Sequence, residues 1–339
     1  MASCRVHSGI TMHTRFSVSM RGTLALAAAG AAALVFTAAP ADAHCTVGKR
    51  FFPAGLAVED PCAADELSFL FTHIKEPGEE DEPARKRSSF EFEFSKRIVE
   101  DFAVSVGTAY NILKARGEER RTGWENLELG FRYQFLTLPK SEFVASAGLS
   151  IELGRTGTTT IGEHVTVYTP TLFLGKGMGD LPDSMALLRP LAFTGTIGWA
   201  IPEHRTSATS ETDEDTGEVT FSRTINPKVL KWNFSIQYSI PYLQSNVRDV
   251  GLEAPFNRLI PVVEFDFEMP TNGPDRNRVS GKILPGLIWT SRYGQVGLAA
   301  IIPINARTGD NVGVIAQLHF YLDDIAPSVF GKPLFRTRP

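Results

Sequence analysis

A chain of 339 residues with 43% hydrophobic residues, a mean hydropathy of −0.06 and a formal net charge of −4 lacks the repeated apolar runs of roughly 20 residues that a helical membrane bundle needs. Its mild acidity also offers no basic stripe to neutralise phosphates, which argues against nucleic acid as a partner.

The first segment in chain order is an apolar run from Gly22 to Ala43, preceded by Arg15 and Arg21 and ending in Ala41-Asp42-Ala43. Charge, apolar stretch and a small-x-small site in that order predict a cleaved secretory signal peptide over 1–43. Met12 and Met20 are alternative starts, and an uncleaved anchor helix is the competing reading. Asp-Ala-His precedes Cys45, unlike a lipid-attachment site. Cleavage removes three arginines and Asp42, so the exported chain carries a charge of about −6. Of the 3 cysteines, Cys4 leaves with the leader. Cys45 and Cys62 remain in an oxidising setting. A disulfide between them would staple residues 44–64 into a periplasmic cap or plug, contributing about 3 kcal/mol through loop closure. Two free thiols are the alternative.

From there on, period-two alternation recurs. Phe90, Phe92 and Phe94 alternate with Glu91 and Glu93, and Phe102, Val104 and Val106 with Ala103, Ser105 and Gly107. In Trp124–Leu138, the set Leu127, Leu129, Phe131, Tyr133 and Phe135 opposes Asn126, Glu128, Gly130, Arg132 and Gln134. Phe143–Leu153 follows the same rule. Leu230, Trp232, Phe234, Ile236 and Tyr238 oppose Lys231, Asn233, Ser235 and Gln237, and Val263, Phe265, Phe267 and Met269 oppose Glu264, Asp266 and Glu268. Weaker segments at 65–75, 164–175, 188–202, 281–290, 294–303 and 312–322 bring the expected total to about twelve strands. Each has near ten residues, the length of a tilted strand crossing a bilayer.

Long polar connections at 76–87, 115–123, 155–163, 203–228, 271–279 and 305–311 alternate with tight turns at 98–101, 139–141 and 291–293. Two connections on the tight side, 176–187 and 241–256, are long. Loops on one side and turns on the other predict an all-β fold: a transmembrane antiparallel β-barrel over 65–322, with a periplasmic tail at 323–339. A soluble sandwich or lipocalin-like barrel would turn the apolar face inward and coat the other with Lys and Glu. Here Gly, Ala, Ser and Thr occupy much of that second face, which favours a lumen.

The candidate lumen-facing residues are Glu91, Glu93, Glu128, Arg132, Lys231, Gln237, Glu264, Asp266, Glu268 and His319. They line a solute path or pair internally, with Arg132 and Lys231 as the expected counter-ions of the carboxylates. No G-x-S-x-G elbow, EF-hand loop or Cys/His metal spacing occurs, so no catalytic residue, metal or cofactor is expected. The lysine in Gly175–Gly179 belongs to a turn, since no helix follows. A lipid-modifying barrel would still need a His beside a Ser at the rim.

The segment GKRFFPAGLAVEDPCAADELSF (48–69) and the closing HFYLDDIAP (319–327) resemble the meta-pathway phenol-degradation group of outer-membrane proteins. The resemblance implies an outer-membrane barrel that passes small hydrophobic or aromatic compounds. The expected partners are outer-membrane lipid and lipopolysaccharide, small hydrophobic solutes and the barrel-assembly machinery. The chain departs from the group in Cys45 and Cys62 and in ending beyond the last strand, which leaves Phe320 or Leu322 as the assembly signal. The expected function is therefore an outer-membrane channel for small hydrophobic or neutral solutes, with no covalent catalysis. The alternatives are a surface-interaction barrel acting through its loops and a lipid-modifying enzyme.

Overall fold

The computed structural model describes residues 45–78, 84–115, 117–212 and 219–335, with side chains outside 208–222. The leader expected at 1–43 lies outside the described residues. In chain order the strands are β1 (Thr46–Val47), β2 (Arg50–Phe51), β3 (Glu66–Glu76), β4 (Arg85–Val99), β5 (Phe102–Ala115) and β6 (Arg121–Trp124). They continue as β7 (Leu127–Leu138), β8 (Phe143–Leu153), β9 (Val167–Gly177), β10 (Leu191–Pro202), β11 (Thr206–Thr212) and β12 (Val219–Ile225). The last five are β13 (Val229–Tyr238), β14 (Leu259–Pro270), β15 (Ser280–Thr290), β16 (Gly294–Pro303) and β17 (Gly313–Tyr321).

Twelve of these strands form one antiparallel sheet in the order β4-β3-β17-β16-β15-β14-β13-β10-β9-β8-β7-β5. Pairing of β4 with β5 along almost their whole length closes it into a barrel. Both neighbours of every strand are filled, so the ladder leaves no edge, which is the condition for a sheet to cross hydrocarbon. Among the described residues no helix is long and apolar enough to cross; the crossing elements are strands.

Alternation decides the two faces. Outward positions carry Phe69, Phe92, Tyr133, Leu172, Ile197, Trp199 and Leu298, all solvent-accessible on the isolated chain. Cross-strand aromatic pairs reinforce this band: Phe234 and Phe265 are register partners with rings stacked at 4.4 Å, and Trp232 stacks on Phe267 at 5.6 Å. Opposed aromatics on one sheet face stabilise the pair beyond the area they cover.

The stretch Trp124–Leu138 is less continuous than its alternation suggests. Glu125 and Asn126 break it, so that β6 and β7 both pair with β5. A register shift between Gln134 and Leu136 then places Phe135 and Leu136 both outward. The reason is a bulge, which adds a residue on one strand and resets the period. Two of the long tight-side connections hold short helical turns, at Asp183–Leu188 and Ile240–Tyr242. The loop 203–228 carries the separate hairpin β11–β12. Beyond β17, Leu322–Ile325 forms one helical turn, and the chain folds back so that Leu334 and Phe335 donate to the carbonyls of Arg97 and Ile98.

A lipid-facing charge should therefore be costly and a lumen-facing one tolerated. Phe234→Arg is expected to lower barrel stability by about 2–4 kcal/mol, and Thr169→Arg, which points into the lumen, by far less. Urea titration of heat-modifiable gel migration in detergent measures both.

Candidate functional site

The inward face encloses a cavity of about 700 Å³ lined by residues from all parts of the barrel wall and by the N-terminal segment. Glu91, Glu93, Glu128, Arg132, Lys231, Asp266 and His319 line it directly. Gln237 and Glu264 also point inward but are buried beneath packed side chains, and Glu268 is exposed nearer the long-loop end. Ten Asp and Glu residues line the cavity, against Arg87, Arg132, Lys231 and Lys282. By formal count the carboxylates outnumber the basic side chains of the lining, so the lumen is acidic.

Residues 45–64 occupy the tight-turn end of the barrel. They begin with the hairpin β1–β2, whose turn has Gly48 at φ +65°; a Cβ there would sit 2.2 Å from the carbonyl oxygen of Pro139. Cys45 and Cys62 are bonded to each other across the segment. The segment then fills the interior in two apolar contacts. Leu56 packs with Ile260, Val262, Leu284, Ile288 and Ile301 on one side. Phe52 and Val47 pack with Val144 and Ala192 on the other.

Polar wall residues bind the backbone of this segment. The buried carboxylate of Glu264 accepts from the N–H groups of Leu56 (3.1 Å), Ala57 (2.9 Å) and Val58 (3.4 Å). Gly55 must be glycine for that approach, because a Cβ would lie 2.2 Å from Glu264 Oε1. Gln295 donates to Ala54 O (2.5 Å), Gln317 to Gly55 O (2.8 Å), and Arg132 to Asp60 O (3.0 Å). Ser146 donates to Pro61 O, and Ala63 N donates to Gln134 (3.1 Å). An irregular chain inside a barrel has backbone groups that the wall must satisfy, and these side chains do so.

Below this, Arg50, fully buried, locks the hairpin to three turns. Its Nε lies 3.1 Å from Glu142, its fork donates to the carbonyls of Arg189 and Pro190, and its plane stacks 3.8 Å from the Tyr242 ring. Glu142 is held at φ 48° and also accepts from Gly179 N (3.0 Å) and Tyr242 Oη (2.8 Å). Burial and the bond to Glu142 push the Tyr242 hydroxyl up to about 12, so it remains a donor. A buried ion pair tolerates this environment only because every remaining donor and acceptor finds a partner.

The expected counter-ion pairing is corrected here. Arg132 does not pair with Glu128 or with the carboxylates of β14; it pairs with Glu59 and lies over the Phe173 ring at 4.2 Å. Glu264 is held by amide donors, not by Arg132 or Lys231. Asp266 approaches Lys282 at 4.0 Å. The N-terminal segment competes for these groups, and a pairing argument restricted to strands omits it. Sequence reasoning also passed over Gln134, Ser146, Gln295, Gln317, Arg50 and Glu142. Gln295 and Gln317 were accessible in principle, as long polar side chains at inward positions of strands that otherwise turn mainly Gly, Ala and Ile inward.

On the outer rim His73 Nδ1 lies 2.8 Å from Ser88 Oγ. The two are register partners, flanked by Val314 and Ile112 on strands paired on both sides. Their backbone amides are committed to the ladder and cannot form an oxyanion hole. Among the described residues no third group orients the ring. The pair is a rim hydrogen bond.

The sequence matches no family model and no curated protein. Solved structures are similar in fold. An outer-membrane channel from Pseudomonas putida F1 superposes with a TM-score of 0.55 at 9% identity, over 80% of this chain and 99% of that one. The β-domain of the Bordetella autotransporter BrkA gives 0.46 at 10%, over 76% and 99%. The NanC porin gives 0.40 at 10%, over 76% and 98%. The similarity to the first supports the fold, that of an outer-membrane-type barrel, and carries no residue-level assignment.

Glu264→Ala should leave three buried amides without an acceptor, each lost partner costing about 1–3 kcal/mol. Hydrogen exchange at Leu56–Val58 is expected to accelerate by roughly tenfold or more, with the barrel strands unchanged, as read by mass spectrometry of the protein in detergent.

Proposed function

We propose that this protein is an outer-membrane channel for small solutes, with residues 45–64 as its barrier at the periplasmic end and the acidic lumen as its selective path. The observation that supports this is the pairing of two features in one barrel. A cavity lined by ten carboxylates runs inside the barrel, and its tight-turn end is filled by a separate segment of chain, residues 45–64, packed against the wall. A lumen dominated by carboxylates favours cations and neutral solutes over anions. The inward residues Glu91, Glu93, Glu128, Lys231, Asp266 and His319 are then the lining, while Gln237 and Glu264 act beneath it and Glu268 near the entrance. This moves the favoured solutes from hydrophobic or neutral compounds toward neutral and cationic ones, because carboxylates outnumber the basic side chains in the lining. The fold similarity to a P. putida outer-membrane channel is consistent with this reading. A location in the outer membrane, reached through the cleaved leader and the assembly machinery, with lipopolysaccharide around the long loops, belongs to the same proposal.

Reconstituted in planar bilayers under a KCl gradient, the protein should show small currents whose reversal potential favours K⁺ over Cl⁻. Glu264→Ala should raise the conductance several-fold by loosening the barrier. Silent membranes for both proteins would remove the channel reading. The rim pair gives a separate check on catalysis. We expect no phospholipid hydrolysis by the folded protein; ester cleavage abolished by Ser88→Ala would replace the channel with an enzyme.

A further inference from the structure

The chain continues past the last strand of the barrel and returns to the outside of the wall. Phe90, Phe92 and Phe94 leave β4 on the outward side, and Lys96, two residues closer to the tight-turn end, has the same parity. A charge on the lipid side of a strand is destabilising unless something covers it. Here the cover is the returning chain. Lys96 Nζ lies 2.8 Å from Asp65 and donates to the carbonyls of Lys332 (2.9 Å) and Phe330 (3.5 Å). The Phe330 ring meets Phe94 edge-on at 6.1 Å. Leu334 N and Phe335 N donate to the carbonyls of Arg97 (3.3 Å) and Ile98 (2.8 Å). Residues 326–335 are thus a strap across the outer face of β4, and beneath it Asp65 is fully buried.

One side of the strap is spent on this cover, and the other is apolar and basic. Ile325, Val329, Leu334 and Phe335 are 46%, 64%, 61% and 67% exposed on the isolated chain. The acidic residues at its root are committed: Asp323 lies 3.8 Å from Arg97, and Asp324 3.8 Å from Arg292. From Ile325 to Pro339 the sequence has no Asp or Glu and carries Lys332, Arg336 and Arg338. Lys332 is exposed, and its ammonium makes no ion pair among the described residues. The adjoining turn holds Glu100 and Asp101, so the positive charge belongs to the strap and not to the whole rim.

Position decides what meets the free side. Phe94, which Phe330 covers, is the register partner of Leu67 on β3 and of Val106 on β5, in the same outward band as Phe69 and Phe92. A ribbon laid on that band has its outer side in the medium the band faces, at the level where the strands end. Apolar side chains there enter the edge of the hydrocarbon, and a lysine extends its ammonium to the phosphates. We propose that residues 325–335 are a membrane-interface strap: Val329, Leu334 and Phe335 insert into the leaflet on the tight-turn side, and Lys332 recruits anionic phospholipid headgroups.

The proposal requires the barrel to sit in a bilayer but not to conduct. The full chain carrying Leu334→Cys is labelled with the environment-sensitive fluorophore NBD and placed in phosphatidylcholine nanodiscs containing phosphatidylglycerol. Cys45 and Cys62 are bonded to each other, and the unsubstituted protein serves as the labelling blank. Glu119→Cys in the long loop 115–123 is the water-exposed reference. Aqueous iodide should quench the Leu334 label about fivefold less than the reference, and lipid bearing a nitroxide just below the headgroup should quench it strongly. At equal mole fraction, nitroxide phosphatidylglycerol should quench roughly two- to fivefold more than nitroxide phosphatidylcholine. Lys332→Gln should reduce that preference by about half or more. Val329→Cys is the second reporter should the first label disturb the strap, and heat-modifiable migration checks that each barrel is folded. Iodide quenching at both strap positions equal to the reference would overturn insertion and leave this face to a soluble partner. Equal quenching by the two lipids, unchanged by Lys332→Gln, would overturn the recruitment of anionic lipid. A lipid-immersed label in bilayers without current would keep the strap and remove the channel; current with an iodide-exposed label would do the reverse.

Discussion

Every backbone N–H and C=O that enters hydrocarbon has to be bonded within the protein, and the pairing of β4 with β5 is what meets that requirement for the whole sheet. With twelve strands and no edge, the apolar side chains can face lipid without an interior to bury them. The lumen is then a consequence of closure: the face not given to lipid has to go somewhere, and it encloses a space. What that space does depends on what enters it.

Here a second chain segment enters it, and the same rule about backbone polar groups applies at smaller scale. Residues 45–64 are irregular inside the barrel, so the wall supplies their partners: the Glu264 carboxylate to three amides, two glutamines and an arginine to carbonyls. These bonds, with the apolar contacts of Leu56 and Phe52, hold the segment against the wall. The Arg50–Glu142–Tyr242 cluster ties the hairpin to the tight turns from below.

Much of the architecture was legible in the sequence because side-chain period in a strand is geometric and independent of context. The alternation around Phe90–Phe94 and Leu230–Tyr238 translates directly into β4 and β13. It failed at Glu125–Asn126 and at Phe135–Leu136, where bulges insert a residue and break the period without any residue type that announces it. Inward orientation was readable for the candidate site residues on the same ground. Their partners were not. Arg132 and Glu128 are close in sequence and share a face, yet Arg132 turns to Glu59, a residue of the N-terminal segment. The choice between these partners is made by three-dimensional proximity and by which carboxylate can also leave the arginine its carbonyl acceptors.

The amino-acid sequence alone determined that the chain is a β-barrel with an apolar outside and a polar, acidic inside, since period and composition act locally on each strand. Only the tertiary structure decided which strand ends meet, that residues 45–64 lie inside the barrel, and that Glu264 faces the amides of Leu56, Ala57 and Val58. Register and shear are properties of the closed sheet as a whole: no single strand contains them, and a slip of one residue in β14 would have turned Glu264 away from those amides.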